Sequence, residues 1–373
     1  MFTIAFSGGG TGGHIYPGLA VISALQRELD CRVFWIGSSR GIDRSLVETA
    51  GIAFYGIPAG KLRRNFSLQN AGDFFKVAAG FFAAKKILKR EKAALLFSKG
   101  GFVSVPPCAA AAFLGIPVVT HESDYSPGLA TRLNARFAEK SGGRVITAYR
   151  ETADRFSPRI RKNVLVLGNP VRSCFRHGDP EAGRAFLGAG KGDRILLVLG
   201  GSQGARELNR LVEASLSALG SFYLVAHQTG PAHEPAVQNT PRYKTYPYIR
   251  DEMPDVLAAA ELVLCRSGAG TVWECATAGK PMILLPLAGS GTRGDQVENA
   301  RFFENAGAAA VLSPERRGPE DLQALVKLLA ADGEKRRSMA EASARIGAAD
   351  GAGRIADLLR ETLETMGTME KSR

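Results

Sequence analysis

Cysteine is scarce in this sequence and badly placed for cross-linking: five residues, at 31, 108, 174, 265 and 275, form an odd set with no C-x-x-C pair. That spacing excludes a disulfide framework and a zinc knuckle, and it fits a reducing cytoplasm. No run of about 18 apolar residues occurs, so no membrane-spanning helix is expected. The opening Met1-Phe2-Thr3-Ile4-Ala5-Phe6-Ser7 is too short for a secretory signal and lacks its basic flank. No D-x-D occurs either, which removes the usual carboxylate pair for a divalent ion on a diphosphate; neither metal nor cofactor is expected. Acidic residues are outnumbered 36 to 48, and the net charge of +12 calls for an anionic partner: nucleic acid, a lipid surface or a phosphorylated substrate.

What is present points to two α/β domains. A chain of 373 residues exceeds the size at which one core stops growing. Apolar, β-rich runs recur at Thr3 to Ser7, Arg32 to Gly37, Ala94 to Ser98, Pro117 to His121 and Val145 to Ala148. A second series follows at Ile195 to Gly200, Tyr223 to His227, Leu262 to Cys265 and Met282 to Pro286. Their apolarity is continuous rather than alternating, the mark of parallel strands buried on both faces. Gly168-Asn169-Pro170 breaks the pattern between the series. The expected domains are 1–165 and 166–340, with a helical tail, 341–373, packing back on the first.

Each series opens with a strand running into a glycine loop: Gly8-Gly9-Gly10-Thr11-Gly12-Gly13-His14 in the first, Gly200-Gly201-Ser202-Gln203-Gly204-Ala205-Arg206 in the second. Ligands of open α/β sheets sit at such strand tips, so both loops should line one cleft if the domains face each other. A third turn, Ser98-Lys99-Gly100-Gly101-Phe102-Val103-Ser104, has the same form. The octapeptide Ser267-Gly268-Ala269-Gly270-Thr271-Val272-Trp273-Glu274 reads as strand end, glycine turn and helix start. Its amides and helix dipole suit a diphosphate, and Glu274, about one turn into the helix, suits a pair of ribose hydroxyls. The octapeptide alone fits a tight turn with a solvated Glu equally well.

His14 at the tip of its loop is a candidate general base, or equally a capping or substrate-positioning residue. His121-Glu122-Ser123-Asp124 crowds a His and two carboxylates at one strand end, and Glu122 or Asp124 could serve as base or as partner to His14. Arg172 by stacking and Ile249 through its backbone could flank a flat base, and the polar residues from Thr292 to Asn299 could read sugar hydroxyls. The segment from Lys61 to Arg90 differs in kind: Phe74, Phe75, Phe81 and Phe82 alternate with alanines and lead to Lys85 and Lys86. That composition suits a helix lying on an anionic bilayer, or an ordinary amphipathic helix with a Phe core stripe.

Taken jointly, Gly8 to Pro17, Gly100 to Pro106, His121-Glu122, Gly168 to Arg172, Gly200 to Arg206 and Cys265 to Ala269 resemble the MurG family in order and spacing. That family moves GlcNAc from UDP-GlcNAc to undecaprenyl-diphosphate-MurNAc-pentapeptide (lipid I), giving lipid II for peptidoglycan. The resemblance implies a GT-B architecture, two Rossmann-like doubly wound domains facing across a cleft, with the acceptor in the first and UDP-GlcNAc in the second. It implies an inverting hexosyltransferase without a catalytic metal, peripheral on the cytoplasmic side of the cell membrane, with partners among cell-wall synthesis and division proteins and none among nucleic acids. Carried over by motif, Thr11, Gly12 and Gly13 meet the donor or the acceptor's diphosphate. Arg172 and Ile249 hold uracil, Ser202 binds phosphate, and Ala269, Gly270 and Thr271 give backbone contacts. Glu274 takes the ribose, Gln296 the GlcNAc hydroxyls, and His14 the acceptor proton, directly or through Glu122 or Asp124. The basic Phe-rich helix corresponds to the family's membrane patch.

Two positions depart from the family's common pattern. Asp124 stands where a sugar-contacting Asn is usual, with Ser123 in place of Gln, and Asp295-Gln296 replaces a Gln pair. Other readings make distinct demands. A diacylglycerol glycosyltransferase would turn over diacylglycerol, and a UDP-GlcNAc epimerase would leave the Phe-rich basic helix unexplained. A dinucleotide-dependent oxidoreductase should carry an acidic residue closing its second strand, where Gly37-Ser38-Ser39-Arg40 stands. A nucleic-acid binder would show a salt-steep affinity.

Overall fold

The computed structural model describes residues 1–10, 12–60, 69–289 and 292–371. The chain divides into two compact units, Met1–Arg172 with Asp350–Arg373, and Ser173–Ala349.

The first unit is built on seven parallel strands: β1 Phe2–Ser7, β2 Cys31–Ser38, β3 Ala53–Ile57, β4 Leu95–Ser98, β5 Val118–Glu122, β6 Arg144–Thr147 and β7 Val164–Val166. Their order across the sheet is β3-β2-β1-β4-β5-β6-β7. The second unit has six: β8 Ile195–Leu199, β9 Leu224–Gln228, β10 Tyr243–Tyr246, β11 Leu262–Cys265, β12 Met282–Leu284 and β13 Ala309–Val311, ordered β10-β9-β8-β11-β12-β13. Every described pairing between named strands is parallel, as continuous apolarity requires.

Nine runs in the sequence announce strands, and four further strands do not announce themselves. Those four, β3, β7, β10 and β13, are the edges of the two sheets. Edge strands are covered less completely: β3 carries Gly56, β10 carries Lys244, and β7 and β13 are only three residues long.

Each sheet reverses its winding once, between β1 and β4 in the first unit and between β8 and β11 in the second. At these two switch points the connecting helices leave on opposite faces and a crevice opens beyond the strand ends. The register sets Ser7 beside Ser98 and Leu199 beside Cys265, so the glycine loops that follow emerge side by side within each unit.

Aromatic and aliphatic packing fixes the first of these tips. Phe6 lies 6.2 Å from Trp35 in a stacked arrangement and 5.3 Å from Phe97, all three fully buried. The tail divides. Helix Gly333–Gly347 packs on helix Ala269–Thr277 of the second unit. Helix Gly351–Lys371 packs instead on helix Gly12–Glu28 of the first, burying Ile355, Leu359 and Leu363 against Val21 and Leu25. Each such side chain contributes about 1.5–3 kcal/mol on burial, which ties the chain's end to the helix that carries His14.

Candidate functional site

In the first unit, three loops meet at the β1/β4 switch point. Helix Gly12–Glu28 starts directly after the first glycine loop and carries Gly12, Gly13 and the half-buried His14 in its first turn. Thr11 lies outside the described residues. The loop is held from beneath by residues that the sequence does not mark as functional. Trp35 donates its indole N–H to the Gly8 carbonyl at 3.0 Å, and the fully buried Asp43 accepts the amides of Gly10 and Ser38 at 3.0 and 3.1 Å. A Cβ on Gly9 would stand 2.0 Å from the Asp43 carboxylate, so only glycine fits there.

Helix geometry brings His14 over the third glycine turn. Its Nδ1 lies 3.3 Å from the Lys99 carbonyl, and since a carbonyl only accepts, this contact makes Nδ1 the protonated nitrogen and directs the lone pair to Nε2. Gly101, at φ 78°, completes the close approach: a Cβ would meet the Gly9 carbonyl at 2.9 Å and the His14 ring at 3.2 Å.

At the end of β5, Glu122 is buried and spends both carboxylate oxygens on backbone, accepting the amides of Asp124 and Gly128 at 3.0 Å each. It shapes the turn that carries Asp124, and Asp124 itself stands partly exposed at the tip. His121 donates through Nε2 to the Gly168 carbonyl at 3.0 Å, and Ser123 donates to Asn169 Oδ1 at 2.8 Å. Burial, then the charge of Lys99, holds His121 well below its ordinary titration range and therefore neutral. The Gly168-Asn169 break thus serves as a strut for β5. Arg172 ends this unit, its guanidinium 5.0 Å from the Tyr16 ring centroid on the His14 helix, whereas Ile249, its expected companion around a base, belongs to the second unit.

The second unit repeats the plan at the β8/β11 switch point. Gly200 to Ala205 lead into helix Arg206–Phe222, with Ser202 half-buried in the loop. Across the switch, Gly268 caps helix Ala269–Thr277 in extended backbone. The first helical hydrogen bond there is donated by Val272 to Gly268, so the helix offers no acceptor to the amides of Ala269, Gly270 and Thr271. Three donors and a dipole end converge on one spot, a ready receptor for an anion. Glu274 sits half-buried in the same helix. Arg266 donates to the Leu285 carbonyl at 3.0 Å and pairs with Glu207 at 2.7 Å, which locks the tip of β11 to the helix after β8.

Gln296 reaches this turn from helix Asp295–Asn305. Its Oε1 accepts the Leu287 amide at 3.0 Å, its own carbonyl accepts the Ser267 hydroxyl at 2.8 Å, and a Cβ on Gly268 would lie 3.9 Å from its Nε2. The amide is thereby oriented with its donor end toward the capping glycine. Ile249 is buried, and its N–H is donated to Gln228 Oε1 at 2.9 Å. Among the described residues no group of three His, Cys, Asp or Glu side chains is placed to hold a metal ion.

Helix Gln69–Arg90 turns Ala84 and Leu88 into the core and leaves Phe75 and Phe82 about 70% exposed, at 72% and 66%. The side chain of Phe74 and the basic stretch Lys61 to Arg64 lie outside the described residues. Phe81 is half-buried and packs edge-on against both Phe82 and Phe113, at 5.3 and 5.9 Å. Lys85 sits 4.2 Å over the Phe113 ring, and Lys86 is exposed beside it. Phe113, 63% exposed, extends the patch from a helix that gave no sequence signal for it. No described helix is long and apolar enough to cross a membrane.

Comparison with known proteins agrees with this plan. Residues 4–142 match the glycosyltransferase family 28 N-terminal domain, and residues 195–355 match the family 28 C-terminal domain. A Treponema denticola protein is 48% identical over 385 residues, covering 96% of this chain and 97% of that one. It is named UDP-N-acetylglucosamine--N-acetylmuramyl-(pentapeptide) pyrophosphoryl-undecaprenol N-acetylglucosamine transferase. The crystal structure of Acinetobacter baumannii MurG superposes with a TM-score of 0.72 at 26% identity, covering 97% of this chain and all of that one. A UDP-GlcNAc 2-epimerase from Neisseria meningitidis reaches 0.69 over 97% of this chain and all of that one, but at 14% identity, a likeness of fold alone. Two Rossmann-like units of GT-B type, family 28 matches at both ends and close relatives along nearly the whole length lead to one assignment: the chain belongs to the MurG family of N-acetylglucosaminyltransferases.

Proposed function

We propose that this protein transfers GlcNAc from UDP-GlcNAc to the MurNAc 4-hydroxyl of undecaprenyl-diphosphate-MurNAc-pentapeptide, inverting the anomeric carbon and forming lipid II. The observation that carries this is the 48% identity, over 96% of the chain, to a transferase of that name. The switch-point loops supply the parts.

In the second unit, the amides of Ala269 to Thr271, the helix dipole behind them and Ser202 receive the diphosphate of the donor. They accept the charge that UDP carries away, the role a divalent ion takes in other transferases. Glu274 accepts from the ribose hydroxyls, Gln296 donates through Nε2 to the GlcNAc ring, and the Ile249 carbonyl faces uracil. Arg172 is the further candidate for the base.

In the first unit, Gly12, Gly13 and the amides around them receive the acceptor's diphosphate. His14 Nε2 takes the proton of the attacking hydroxyl, and Asp124 orients that hydroxyl or relays the proton. Glu122 accepts two backbone amides and so holds the turn that carries Asp124, which favours His14 or Asp124 for the proton. General-base assistance of this kind is worth about 10²- to 10⁴-fold.

The exposed Phe75, Phe82 and Phe113, with Lys85 and Lys86, bring the first unit onto an anionic bilayer where a polyprenyl acceptor resides. On this reading the protein is peripheral, on the face where its nucleotide-sugar donor is found, the cytoplasmic one. Incubation with UDP-GlcNAc and a short-chain lipid I analogue tests the reading. It predicts UDP release that needs the analogue; release with diacylglycerol instead, or epimerised UDP-sugar without acceptor, would replace it.

A further inference from the structure

Lys99 is the least expected side chain in the molecule: a lysine only 2% exposed, lying beneath the three loops of the β1/β4 switch point. Its Cβ is 3.1 Å from the position a Cβ on Gly8 would take, so it is wedged under the first glycine loop. Its ammonium donates to the Ser123 hydroxyl, which donates onward to Asn169 at 2.8 Å. The charged and titratable groups around it are Glu122 and Asp124 from the β5 turn, His121 from β5 and His14 from the helix above. A buried lysine costs several kcal/mol unless charge and hydrogen bonds compensate it, and a Met of similar shape would fill the same space. The position is not explained by packing.

Ser123 and Asp124, which follow Glu122 at the end of β5, both interact with Lys99, the first through its hydroxyl and the second through its charge. A hydroxyl accepts from an ammonium, and a carboxylate beside an ammonium gains a countercharge. We propose that Lys99 is a positioning residue for proton transfer, its carbonyl orienting the His14 imidazole and its ammonium holding the Ser123-Asp124 corner in place.

The inference rests on the transferase reading above. It makes one residue the joint between both candidate proton acceptors, without itself meeting substrate. It also has an electrical consequence. Burial lowers the Lys99 ammonium to about 8, against the pull of Glu122 and Asp124. At neutral pH it is therefore a cation beside the base, and above about 8 it ceases to be one.

The test is the pH dependence of acceptor-dependent UDP release by the full-length protein and by Lys99→Met and Ser123→Ala. Lys99→Met is expected to lower kcat about 10- to 100-fold with the donor KM within twofold, since only proton transfer is disturbed. Removing a nearby cation raises the pKa of a His or a carboxylate alike, so the acidic limb of kcat/KM should move up by about one pH unit. The basic limb near 8 should vanish. A lowered kcat with both limbs unmoved would mean that Lys99 only supports the fold and would overturn the inference. If Lys99→Met fails to unfold cooperatively or to bind donor, Ser123→Ala decides: about tenfold lower kcat at unchanged donor KM supports it, and unchanged kcat overturns it. Absence of wild-type turnover would sink the transferase reading and this inference together, whereas turnover beside indifferent variants would sink the inference alone.

Discussion

The Oδ1 of Asp43 accepts the amide of Gly10 at 3.0 Å, although 33 residues separate them in the chain. In a dinucleotide fold, an acidic residue near the end of the second strand binds a ribose. Here the acid in that neighbourhood is consumed by backbone, one oxygen on Gly10 and the other on Ser38. Asp43→Ala removes two part-buried hydrogen bonds from backbone amides to a carboxylate, each worth about 1.5–3 kcal/mol. The unfolding midpoint should fall and the acceptor KM should rise, and NADH should show no saturable binding by fluorescence titration.

Gly9 is the steric counterpart. With a Cβ 2.0 Å from Asp43, Gly9→Ala must expel the carboxylate or bend the loop. Expected is a loss of about 100-fold or more in kcat/KM for acceptor, since misplacement of about 1 Å can cost that much. Donor affinity, read by UDP-GlcNAc protection against thermal unfolding, should be unchanged.

Gln296 is held at both ends, by the Leu287 amide and by Ser267. Gln296→Ala removes one sugar donor and leaves the Leu287 amide without its acceptor. Donor KM should rise about tenfold, the equivalent of ~1.4 kcal/mol, and UDP inhibition should change much less, because UDP lacks the sugar.

Acid should destabilise the second unit through His227. Burial drives its pKa down to about 3, and the neutral ring accepts from the Tyr243 hydroxyl at Nδ1 and donates from Nε2 to Asn209. The unfolded chain binds a proton that the folded one refuses between the ordinary His value of about 6.5 and 3, so stability is lost as pH falls through that window. A His227→Gln variant should show a flatter decline of urea midpoint between pH 6.5 and 4.

The Phe patch predicts membrane behaviour. A Phe75→Ser, Phe82→Ser, Phe113→Ser variant should leave anionic vesicles in a flotation assay, while turnover of a short-chain acceptor in detergent stays near wild type. Lys85→Glu with Lys86→Glu should weaken vesicle binding by about 1 kcal/mol or more per residue, and more at low salt. Equal binding by all variants would place the contact elsewhere.

How far the sequence discloses this molecule follows from range. Central strands and glycine turns are local signals, and β1, β8 and the Gly268 turn are evident from consecutive residues. Edge strands such as β7 and β13 are three residues long, and their pairing is decided by neighbours rather than by their own composition. The candidate site divides in the same way. His14, Glu274 and Gln296 are visible in motifs, whereas Asp43, Gln228 and Phe113 act across 33, 21 and 32 residues on Gly10, Ile249 and Phe81. Lys99 lay within a recognised turn, but its burial, and with it its significance, exists only once three strand tips are side by side. Glu122 shows the converse, a carboxylate whose position in a motif suggests chemistry and whose hydrogen bonds to the turn's backbone appear only in the fold.

The central claim is that peptide dipoles at the Gly268 turn accept the charge of departing UDP while the anomeric carbon inverts. The measurement that reaches it most directly is proton NMR of the disaccharide product made from UDP-GlcNAc and a short-chain acceptor with excess chelator present. The account predicts a β-1,4 linkage formed at an undiminished rate; an α linkage, or product that appears only when a divalent cation is restored, would contradict it.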